Sequence, residues 1–93
     1  MLNTDEFAQL ESAVDDYDKG LHEKAYETFA YLAEKCNDDE SQYYLGLMYA
    51  NGQFVEKDIS LAEYWWKKSA GQRNQDANFQ LESMSMSTKN SRY

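Results

Sequence analysis

The chain has 93 residues, 42% of them hydrophobic and 15% aromatic, with no proline, one cysteine and a formal net charge of -8. That is enough for a single domain with a thin core, too apolar for a disordered segment, and free of the residue that most often interrupts helices. Residues 1–40 hold twelve acids against three lysines and residues 41–93 five acids against six bases, which excludes binding nucleic acid through clustered phosphate contacts. The first helix is expected from Thr4 to Tyr17, capped by Asn3 or Thr4, with Phe7, Leu10, Val14 and Tyr17 on one face and Lys19-Gly20 at its end. A second spans His22 to Cys36, its stripe made of Ala25, Phe29, Leu32, Ala33 and Cys36. Asn37-Asp38-Asp39 breaks it, and Asp39 with Gln42 has capping-box spacing for a third helix over Glu40 to Ala50. Asn51-Gly52 stops that helix, because glycine enters the left-handed region cheaply. After the short apolar loop Phe54-Val55, Asp58 or Ser60 starts a fourth helix through Trp65, Trp66 and Ala70. Gly71 to Asn74 ends it, and a fifth covers Gln75 to Met84. The remainder, 86–93, is small, polar and non-periodic and reads as a flexible tail.

The helices repeat. Ala25, Phe29 and Ala33 fall on Ala62, Trp66 and Ala70 at an offset of 37 positions, and Ser41, Gln42, Tyr43 and Leu45 fall on Ala77, Asn78, Phe79 and Leu81 at an offset of 36. Such a period is the mark of a stacked helical array. Gly46 inside a helix costs about 1 kcal/mol of propensity, and close approach of the neighbouring helix is the expected compensation. Ala62 performs the same service from the other side, while Tyr49 and Trp66 fill the space between pairs.

Leu45-Gly46-x-Met48-Tyr49-x-x-Gly52-x-x-Val55-x-x-Asp58-x-x-x-Ala62-x-x-Trp65, followed by Lys68-Ser69-Ala70, closely resembles the Sel-one-like repeat, a relative of the tetratricopeptide repeat. The full match covers about residues 41 to 81. Phe54 and Arg73 stand where that family usually has glycine, and Glu82 and Ser85 replace an expected glycine and tyrosine. The resemblance implies an all-α fold, a short right-handed solenoid of about five helices in antiparallel pairs with a concave surface for other proteins. It divides the chain into a divergent opening unit (1–38), a best-matching repeat (39–73) and a capping helix (74–85). By the same analogy the first helix of each pair lines the groove, which nominates Tyr43, Leu47, Asn51, Phe79 and Ser83 for partner binding. Trp65 either packs in the core or anchors a partner as an exposed aromatic.

No constellation for catalysis, metal or cofactor is expected. Gly46 and Gly52 lack the lysine and the preceding strand of a phosphate loop. His22 and Cys36 are fourteen residues apart on one helix, about 21 Å, too far for a dyad. Asp15-Asp16-Tyr17-Asp18 fails the calcium-loop register, which puts Leu21 where glycine is required. The expected role is therefore a non-enzymatic adaptor that binds another protein, with no nucleic acid and no membrane. An acidic inhibitor or immunity-type protein that blocks a basic site on an enzyme or toxin is the alternative, and an enzyme acting on cell-wall-type substrates fares worst. A homodimer covering the end faces is allowed. A lone cysteine, no secretory leader and no long apolar run point to the cytoplasm.

Overall fold

The computed structural model describes residues 1–90, and the side-chain surroundings of residues 1–86. Five helices follow one another: α1 (Thr4–Asp18), α2 (His22–Lys35), α3 (Asp39–Asn51), α4 (Ile59–Ala70) and α5 (Gln75–Asn90). No strand occurs among the described residues. Each helix packs on the next, most extensively α3 on α4. This is the stacked all-α array that the repeat spacing predicts. α5 runs on to Asn90 rather than stopping at Met84, so the first part of the expected tail is helical; residues 91–93 lie outside the described residues.

Local chemistry sets the boundaries. Asn3 accepts from the Glu6 amide at 2.8 Å while Glu6 accepts from the Asn3 amide at 3.1 Å, a complete capping box. Asp38, not Asp39, caps α3. Its carboxylate takes the Ser41 amide at 2.8 Å and the Ser41 hydroxyl at 2.7 Å. Gln42 is thereby released from the expected capping box and turns inward. Asp58 caps α4 through the Leu61 amide at 3.0 Å, and Asn74 caps α5 through the Ala77 amide at 2.9 Å. Gly52 ends α3 in the left-handed region, at φ 65° and ψ 44°.

Three side-chain-bearing residues share that region: Asn37 (φ 52°), Phe54 (φ 67°) and Arg73 (φ 70°). Asparagine tolerates it, but phenylalanine and arginine do not gain from it, at about 1 kcal/mol or more each. Both stand where glycine was expected. Arg73 is exposed, so Arg73→Gly removes strain and little contact, and it is expected to stabilise the chain by about 0.5–1 kcal/mol after the extra unfolded-state freedom of glycine is subtracted. A urea midpoint at or below that of the parent chain would refute this.

The core has two parts. Leu10 and Ala13 of α1, Ala25, Phe29, Leu32 and Ala33 of α2, Leu45 and Met48 of α3 and Trp65 of α4 form the larger cluster. Ala62 and Trp66 of α4 with Ala77 of α5 form the smaller, edged by Tyr43, Leu47 and Ala50 of α3. In the larger cluster Tyr44 stacks flat on Phe29, with centroids 4.7 Å apart and 2° between planes, and Tyr17 meets both rings edge-on. The Gly46–Trp66 contact is as close as the sequence suggested. A Cβ on Gly46 would collide with the indole, whose Cε2 would stand 2.7 Å away, and the indole N–H donates to the Tyr43 carbonyl at 3.1 Å.

Polar stitching joins the elements at one end. Gln42, fully buried, donates to the Ala33 carbonyl at 3.3 Å and to Asn37 Oδ1 at 2.9 Å, and accepts from Gln72 at 3.1 Å. The buried Ser69 hydroxyl donates to the Asp39 carbonyl at 2.7 Å. At the other end the Tyr17 hydroxyl donates to Gln53 at 2.8 Å.

Candidate interaction face

Alternate helices come to lie side by side. Tyr17 of α1 touches Tyr44 of α3, with ring centroids 5.2 Å apart, and the Asn74 side chain at the start of α5 donates to Asp39 of α3 at 2.8 Å. α1, α3 and α5 therefore build one face of the array, and their charge is one-sided. They carry Asp5, Glu6, Glu11, Asp15, Asp16 and Asp18 on α1, Asp39 and Glu40 on α3, and Asp76 and Glu82 on α5, against Lys89 alone. On α2 and α4 the acids Glu23, Glu27, Glu34 and Glu63 are matched by Lys24, Lys35, Lys67 and Lys68. The acidity is thus sorted by helix, and not merely by half of the chain.

Between α1 and α3 runs a groove of about 470 Å³, lined by Phe7, Leu10, Val14, Glu11, Asp15, Asp18 and Glu40. Phe7 is half exposed, at 50%, rather than part of the buried stripe. The stripe of α1 centres on Leu10 and Ala13, which face α2, and Phe7 lies to one side of it. Asp15 is bridged to Lys19 at 2.8 Å. Among the described residues no cation bridges Glu11, Asp18 or Glu40. Partial burial, then Asp38, Asp39 and Asp76, hold the Glu40 carboxyl above its usual range. Burial, reinforced by Glu40 and Asp18, pushes the Tyr44 phenol up to about 12. Burial likewise raises Tyr43, with Asp76 adding and a hydrogen bond from Gln80 subtracting.

The Tyr44 shift fixes a pH dependence. A phenol whose folded pKa lies above its ordinary value of 10 adds stability that is fully present below pH 10 and is lost as pH rises through about 12. Urea midpoints are expected to fall over that interval, and Tyr44→Phe to make the fall shallower. An unchanged slope in the variant would remove Tyr44 as a cause.

The residues nominated from sequence separate here. Tyr43 and Leu47 are half-buried at the margin of the smaller cluster, and Asn51 is exposed one turn further on. Trp65 is buried in the larger cluster, 9% exposed, and is not an exposed anchor. Phe79, 63% exposed, lies on the side of α5 away from Ala77 and Leu81, because two residues turn about 200° round a helix. It occupies on α5 the place of Tyr43 on α3, but no further helix covers it among the described residues. Ser83 is exposed on the same helix. Glu82 stands where α3 has Gly46, and it is exposed, its carboxylate accepting from the Asn78 side chain at 3.2 Å. The sequence assigned no partner-binding role to the groove residues Phe7, Glu11, Asp15 and Asp18. Their spacing of four, four and three is itself a helical row, one face over from the core stripe.

The one histidine and the one cysteine stand at opposite ends of α2. Cys36 follows the last turn of α2, its thiol 3.4 Å from the Glu6 carboxylate and raised by burial first and that carboxylate next, while His22 sits at the other end of α2 against Tyr17. Among the described residues no group of three or more His, Cys, Asp or Glu is placed to hold a metal ion, and no helix is long and apolar enough to cross a membrane.

Among known protein families, the family model of the Sel1 repeat matches residues 39–74, which is α3, its loop, α4 and the cap of α5. No curated protein and no solved structure matches the chain.

Proposed function

We propose, on the premise that residues 39–74 make this a Sel1-like repeat protein, that the chain is a non-enzymatic adaptor holding a segment of another protein along the face of α1, α3 and α5. Sel1 repeats generally mediate protein–protein interaction. The observation that carries the reading for this chain is the open groove on that face, where a half-exposed ring and apolar side chains lie among polar groups. That combination offers both desolvation and orientation to a partner. An inhibitor or immunity role would draw on the same acids, but only the net charge favours it.

Retention of proteins on the immobilised chain, identified by mass spectrometry, tests the proposal. Tyr43→Ala, Leu47→Ser and Asn51→Ala are expected to abolish retention. Tyr31→Ala on α2 and Tyr64→Ala on α4, each about half exposed at 50% and 51%, are expected to preserve it. The opposite pattern, or no retained protein, would end this reading.

A further inference from the structure

We infer that the segment received between α1 and α3 is basic and amphipathic, a Lys- or Arg-bearing stretch with at least one bulky apolar side chain. This deepens the adaptor reading and rests on it. Leu10 and Val14 supply an apolar floor, and Phe7 leaves half of its ring uncovered beside it. Glu11, Asp18 and Glu40 rim that floor without a bridging cation among the described residues, whereas Asp15 is already held by Lys19 at 2.8 Å.

Each other class of occupant leaves a defect. A neutral apolar segment would strip water from three carboxylates and return no counter-charge, which is costly. An acidic segment would be repelled. A basic but wholly polar segment would satisfy the rim and leave the floor and the Phe7 ring wet. Only a chain bearing both cations and an apolar anchor meets rim and floor together. The acids compressed around Glu40 gain most from such a partner, since Asp38, Asp39 and Asp76 already burden that carboxylate.

The test is fluorescence anisotropy with three short labelled helical peptides, Lys/Leu, Glu/Leu and Lys/Ser, against the full chain. The Lys/Leu peptide is expected to bind in a salt-sensitive way, and the other two about tenfold more weakly or less. Glu11→Gln/Asp18→Asn/Glu40→Gln is expected to weaken Lys/Leu binding about tenfold, the combined effect of three exposed charge pairs. Glu23→Gln/Glu27→Gln/Glu34→Gln removes the same charge from α2 and is expected to leave binding unchanged. Phe7→Ser is expected to bring Lys/Leu binding down to the Lys/Ser level. Circular dichroism and urea midpoints check that each variant is folded. Equal weakening by both triple variants, or equal binding of Lys/Leu and Glu/Leu peptides, would overturn the inference. If the Tyr43, Leu47 and Asn51 variants lose their captured proteins while the Lys/Leu peptide fails to bind, the adaptor reading survives and this inference falls. If the peptide binds as described but captured proteins ignore the Tyr43, Leu47 and Asn51 variants, the adaptor reading falls and the groove's chemistry stands.

Discussion

Trp66→Ala is expected to destabilise the chain by about 3–5 kcal/mol, and Gly46→Ala by about 2 kcal/mol. The second figure is the sharper test, because helix propensity alone predicts the opposite sign, a gain of about 1 kcal/mol. Packing wins over propensity here for a geometric reason. The indole occupies the space into which a Cβ would grow, and its N–H bond to the Tyr43 carbonyl keeps it from swinging aside. The two substitutions should therefore be strongly non-additive. With Trp66 already cut back to alanine, Gly46→Ala has nothing to strike and is expected to stabilise by about 1 kcal/mol. Denaturant unfolding of the four members of this cycle would decide the matter. A destabilising Gly46→Ala in both backgrounds would mean that the α3–α4 contact is not the reason for the glycine.

Gln42→Ala is expected to cost about 2–4 kcal/mol, far above the fraction of a kilocalorie usual for an exposed polar residue. Its amide satisfies the Ala33 carbonyl near the end of α2 and the Asn37 side chain, and its oxygen receives Gln72 from beyond α4. Truncation opens a cavity and leaves a buried carbonyl unpaired in one step. A paired control is Gln72→Ala. Gln72 is exposed, so water replaces its bonds, and a loss below about 1 kcal/mol is expected. Equal losses for the two would contradict the burial that separates them.

The helices and their repeat were readable because the sequence marks them with size. Gly46, Ala62 and Trp66 at matched offsets have a simple steric meaning, and Gly52 has a backbone one. The caps were less legible, since Asp38, Asp39, Ser41 and Gln42 offer two overlapping registers. Tertiary demand decided between them, for Gln42 is needed inside and only Asp38 then remains to receive the Ser41 amide. Phe54 and Arg73 show the reverse case: the fold keeps the backbone shape at both positions although the side chains oppose it. The groove was hidden for another reason. Phe7 looks like a core residue until Ala13 is seen to be the more deeply buried, and carboxylates on a helix look like ordinary solvated charge. Their alignment opposite Glu40 depends on how α1 leans on α3, which no local pattern encodes. Trp65 had two readings on sequence grounds, and only the packing of α4 against the larger cluster chose between them.

Trp65 and Trp66 are neighbours on α4, yet one belongs to the larger cluster and the other to the smaller. That helix is consequently a party wall, with a room on each side of it. Detaching it exposes both rooms at once, so the front and rear of the chain are expected to melt together despite their modular pattern. A fragment cut before Ile59 would lose the wall that closes the larger room and expose the Leu45–Met48 side of α3.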